Sequence, residues 1–125
     1  TLSEIKNISY GNDYIFGSLL KKMKVSVIHI DNPVLISNID ENRIFIDKTH
    51  QALDNLIRCY KKNMIKKHSI SILNVYIILD FLLMKKVFVK ITNVFKNLVE
   101  KNLRSNDPNL FLFDIYRLNY ICKIK

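Results

Sequence analysis

The sequence predicts an α+β fold that is predominantly helical: a short helix with one or two strands inside residues 1–42, then a helical extension over 43–125. Three observations lead there. Val25–Ile30 is β-branched and nearly all apolar and is closed by Asp31-Asn32-Pro33, the composition of a buried strand that ends in a turn. From Phe45 to Leu103, apolar residues recur at three- and four-residue steps, the period of amphipathic helices. Ser105-Asn-Asp-Pro-Asn109 interrupts that pattern, since the residue before a proline is pushed out of the α region.

Residues 1–9 have no clear period. Asn12 or Asp13 is expected to cap the first helix, whose apolar face is Ile15, Phe16, Leu19, Leu20 and Met23 and whose end carries Lys21, Lys22 and Lys24. Cations there suit the helix dipole, so the cluster needs no phosphate to explain it. His29 in the strand reads as a hydrogen-bonded core residue or as a ligand. After a polar loop, Asp40 or Asn42 is expected to cap a helix of five to six turns that carries Phe45, Thr49, Ala52, Leu53, Leu56, Tyr60 and Met64 at three- and four-residue steps.

Ile70–Met84 is the most apolar run. A membrane span needs about 20 mostly apolar residues, and this run is shorter and contains Asn74 and Asp80, so a buried or interfacial helix is expected. A long amphipathic helix follows, through Val87, Phe88, Ile91, Val94, Phe95, Leu98 and Leu103, with a break near Lys85-Lys86. The tail Leu110–Cys122 is apolar on nearly every side and fits a helix better than a strand.

The 125 residues suffice for one hydrophobic core but are short for a complete nucleotide-dependent enzyme. The start at Thr1 fits a processed chain or a piece of a longer gene. The net charge of +9 suggests acidic partners, namely nucleic acid, an anionic membrane surface or phosphate-bearing substrates; a Lys-rich composition spread over solvated helix faces gives the same charge. Cys59 and Cys122 stand far apart, without metal-ligand spacing, which suits a reducing compartment and suggests neither disulfide nor zinc. Residues 1–24 mix charged and amide side chains, unlike a secretory signal, so a cytoplasmic location, at the inner membrane face, is expected. With Gly11 and Gly17 as the only glycines, a Gly-rich phosphate loop is excluded.

Tyr10-Gly-Asn-Asp-Tyr-Ile-Phe-Gly17, followed by Val27-Ile-His-Ile-Asp-Asn-Pro-Val-Leu35, resembles the C-terminal part of bacterial family 2 glycosyltransferases of the GT-A fold. The segments Phe45-Ile-Asp-Lys-Thr49, Leu53-Asp-Asn-Leu56 and the tail Leu112–Cys122 are similar to theirs as well. The likeness covers residues from about 5 to 60 well and 108–122 loosely. It implies that 1–42 is the C-terminal edge of a GT-A catalytic domain and 43–125 a helical extension.

By that resemblance Asp13 is the general base that takes the proton of the acceptor hydroxyl, an effect worth roughly 10²–10⁴-fold. Tyr10 and Gly11 line the acceptor pocket, and Asn12 stands where the family commonly has Glu. The Asp-x-Asp type motif of the nucleotide-binding half is absent from these residues, and Ile36 occupies the place of a second metal-binding His. The resemblance therefore implies Mn or Mg for the complete parent enzyme, no cofactor in this chain, and no activity for the chain by itself. Its implied partners are a glycan or lipid-linked sugar acceptor, with the nucleotide sugar bound only alongside the missing half. Local chemistry offers a plainer account: Asn12 and Asp13 cap a helix, Gly17 permits close packing and Asp31-Asn32-Pro33 turns the chain.

Two rival expectations come from other classes. One is a small basic helical module that binds nucleic acid or an anionic membrane surface; dispersed lysines and the lack of a reader motif set nucleic acid below the membrane. The other is peripheral membrane contact through Ile70–Met84 and Leu110–Ile121 with their flanking lysines.

Overall fold

A computed structural model of the protein describes residues 10–34, 41–65 and 70–124. Among the described residues the fold is all helix: α1 Asn12–Met23, α2 Asn42–Lys61, α3 Ser71–Phe81, α4 Lys85–Val94, α5 Lys96–Leu103 and α6 Leu110–Lys123. The predominantly helical expectation holds.

The expected strand edge is not formed. Val25–Val34 takes neither strand nor helix, and Ile28 and Ile30 are 85% and 78% exposed. A strand is stabilised by pairing with a neighbouring backbone, and among the described residues no other strand exists to supply one. β-Branched composition therefore states a preference that nothing here satisfies. His29 is exposed with it rather than sitting in a core.

One core joins α1, α2, α3 and α6. Ile15 of α1, Leu53, Leu56, Ile57 and Cys59 of α2, Ile65, Leu73 and Tyr76 around α3, and Ile121 of α6 form a single buried cluster. Each fully buried Leu or Ile contributes roughly 1.5–3 kcal/mol relative to exposure. The C-terminal helix is the hub, packing on α2, α3, α4 and α5. Its apolar sequence requires this role. Between Leu112 and Cys122 only Asp114 is exposed.

Helix ends explain the connections. α1, α2 and α3 each close with a left-handed residue, Lys24, Asn63 and Leu83, with φ of 54°, 56° and 55°. The next amide then reaches back five residues, as in Val25 N–H to Leu20 O at 3.2 Å and Met84 N–H to Leu79 O at 2.9 Å, the paired closure that satisfies late carbonyls. Asn suits that conformation, whereas Lys and Leu are strained in it. The break expected at Lys85-Lys86 is this α3–α4 turn.

The break at Ser105–Asn109 is built from side chains. Asn102 Oδ1 accepts from Asn109 N–H at 2.9 Å, and Asn109 Oδ1 accepts from Phe111 N–H at 2.9 Å and Leu112 N–H at 3.2 Å, a true N-cap for α6. Elsewhere the expected caps move by one residue. Gly11 and Glu41 are the N-cap residues of α1 and α2, neither with a side-chain cap bond. Asn42 instead donates from Nδ2 to Ser105 O at 3.0 Å, tying the start of α2 to the α5–α6 turn. Asp40 and Ile36 lie outside the described residues.

Candidate functional site

Gly11 sets the geometry of the N-terminal site. Its φ of +85° lies in the left-handed region, and a Cβ there would stand 2.8 Å from Ala52 Cα. Only glycine meets both conditions without strain. The close approach locks the start of α1 against α2, and Asn55 Nδ2 fastens it by donating to Tyr10 O at 2.9 Å. Lys48 Nζ lies 5.3 Å from the Tyr10 ring centroid, within cation–π range. Gly17 differs from its expected role, since a Cβ there would meet nothing within 4 Å.

Three of the four expected site residues, Tyr10, Gly11 and Asp13, line one cavity of about 250 Å³. The other walls are Phe45, Thr49, Ala52 and Leu53 of α2 and Phe113 and Arg117 of α6. Asn12 is half-buried in the first turn of α1 but does not line it. Asp13 stands in that same first turn, where the helix dipole favours a carboxylate. Arg117 is held across the cavity by Asp114, Nη1 to Oδ1 3.1 Å, and lies over the Phe113 ring at 5.3 Å. Thr49 Oγ1 donates to Phe45 O at 2.8 Å.

An aromatic face, a carboxylate and a guanidinium around a small cleft form a set suited to a polyhydroxyl ligand. The ring covers a C–H face, the carboxylate accepts from hydroxyls, and the guanidinium donates to them. Phe113 and Arg117 belong to the tail that carries the loose part of the resemblance, but periodicity gives no signal that this tail folds back onto Tyr10.

A second cavity, of about 280 Å³, opens between α2, α4, α5 and α6. His50 stacks on Tyr120 at 4.0 Å between centroids, 7° from parallel. Tyr116 Oη and His50 Nε2 are 3.0 Å apart. Tyr120 Oη donates towards both Asp54 oxygens at 3.2 Å. Burial lowers the His50 pKa, against the opposing pull of Asp47, Asp54 and Glu100, and raises those of Tyr116 and Tyr120. Lys123 is lowered by burial and by the like charge of Lys96. Its ammonium donates to Asn93 Oδ1 at 2.8 Å. The only advance signal was Tyr116 and Tyr120 sharing a helix face at i, i+4.

Among the described residues no group of three or more His, Cys, Asp or Glu side chains could hold a metal ion. No helix among them is long and apolar enough to cross a membrane. No protein-family model matches this sequence, no curated protein matches it and no solved structure matches its fold.

Proposed function

We propose that this chain supplies the acceptor side of a nucleotide-sugar-dependent glycosyltransferase of family 2, GT-A type. The observation that carries the reading is the cavity in which Tyr10, Gly11 and Asp13 meet Phe113 and Arg117. Two separate stretches of the family resemblance converge on one cleft with sugar-binding chemistry. In this role Asp13 takes the proton of an acceptor hydroxyl while Tyr10 stacks on the sugar. Arg117 holds a second hydroxyl. The acceptor is a glycan or a lipid-linked sugar. The donor nucleotide, with its Mn or Mg, is held by residues outside these 125, so the chain by itself transfers nothing.

An array of immobilised glycans tests this reading. The purified chain is expected to be retained on a subset of glycans, with retention lost in Tyr10→Ala and Asp13→Ala. Uniform failure to bind glycans overturns the acceptor role. Sugar transfer or nucleotide-sugar hydrolysis by the wild-type chain, lost in Asp13→Ala, overturns the division of labour.

A further inference from the structure

We infer that the outward face of the α3–α4 turn, α4 and α5 docks on a bilayer surface that contains anionic lipid. α4 is a helix without one buried residue. Its inward side is fixed by α6, where Asn119 Nδ2 donates to Thr92 Oγ1 at 2.6 Å, and Val99 and Leu103 of α5 are buried. Opposite those contacts, Val87, Ile91 and Val94 of α4 are exposed in steps of four and three residues, which places them on one face, and Leu98 of α5 is exposed beyond the break at Phe95. Phe81 and Leu83, at the α3–α4 turn that leads into α4, are 85% and 86% exposed. Leu83 is also the residue held at φ 55°, where Asn or Gly is intrinsically favoured. Nothing among the described residues covers this ridge.

Charge selects its occupant. Lys86, Lys90 and Lys101 are exposed along one flank of the ridge, and none makes an ion pair among the described residues. Glu100 is the one acidic side chain on α4 and α5, and it faces Lys96 at 3.6 Å. Apposing two copies through this face would bring rows of lysine together without carboxylates to meet them, which is unfavourable. A phosphate backbone would match the lysines but leave the apolar ridge in water. An anionic bilayer satisfies both, with the apolar side chains about 5–10 Å into the headgroup boundary and the ammonium groups at lipid phosphates. α4 and α5 lie on the membrane, since no helix among the described residues is long and apolar enough to span it. This surface overlaps the segments expected from sequence only at Phe81 and Leu83 of Ile70–Met84, since Leu73 and Ile121 are fully buried. The inference stands independently of sugar transfer.

Vesicle flotation tests it, with phosphatidylcholine alone and with added phosphatidylglycerol, alongside sedimentation velocity of the free protein. The wild type is expected to float with the anionic vesicles and to fall off as salt rises. Each lysine of the three changed to Gln lowers affinity about fivefold. Ile91→Glu, an exposed position that leaves the core intact, lowers it at least about tenfold. Leu83→Asn is expected to raise the melting temperature and weaken flotation together, a combination that a purely structural Leu83 would not give. No flotation with anionic vesicles overturns the inference, as does equal flotation with phosphatidylcholine or flotation indifferent to Ile91→Glu. A dimer dispersed by Ile91→Glu assigns the face to a second copy and overturns it too.

Discussion

The seam between α2 and α6 and the outward face of α4 are both amphipathic by sequence, yet the structure treats them oppositely. Along the seam Leu53, Leu56 and Ile57 are 1% exposed and Ile121 is fully buried, and polar groups pair across it, as Tyr120 does with Asp54. On α4 the apolar stripe faces out, and the side-chain hydrogen bonds to α6 run through Thr92 and Asn93. Periodicity tells which residues share a face. It does not tell what covers that face, because cover comes from segments distant in sequence.

The sharpest way to break this contrast is a matched pair of truncations. Leu53→Ala should destabilise the protein by about 2–5 kcal/mol, as cavity-forming core changes do, while Ile91→Ser should stay within about 0.5 kcal/mol. Chemical denaturation of both variants measures the difference directly. A large loss at Ile91 would mean that α4 is covered.

A second pair sits within α1. Gly11→Ala places a Cβ against Ala52 at positive φ and should cost about 1–3 kcal/mol. Gly17→Ala enters open space inside a helix and should stabilise by about 0.5–1 kcal/mol. Urea midpoints of opposite sign are expected. Equal signs would contradict the close approach of α1 to α2.

The seam should also respond to pH through His50. Burial holds its folded pKa below the ordinary 6.5, so the unfolded chain takes up the proton first. Stability is therefore full above the ordinary value and declines as pH falls through it towards the folded value. Thermal unfolding followed from about pH 7.5 to about pH 5.5 should show a decline that is shallower in His50→Gln.

Much of the fold was legible in the sequence. The helix over 42–61, the turn near Lys85 and the stop at Ser105–Asn109 follow from local chemistry that needs no partner. Val25–Ile30 did not follow, because a strand needs a second strand, and its composition speaks only of preference. The candidate site was half legible. Tyr10, Gly11 and Asp13 could be named from a contiguous motif, whereas Phe113 and Arg117 reach the same cleft only through the packing of α6 on α2. The His50–Tyr120 stack is tertiary in the same way. Asn12, expected from the resemblance because it stands where the family commonly has Glu, is half-buried in the first turn of α1 and does not line the cleft.

The cleft between α1, α2 and α6 is the proposed place of sugar binding. An amide-resolved titration of the chain with a glycan selected on the array reads this out. The expected result is shifts at Gly11, Asp13, Thr49 and Arg117, absent in Tyr10→Ala, with Ile91 and Val94 unmoved. Shifts that bypass Gly11 and Asp13, whether at the His50 cavity or along α4, would contradict it.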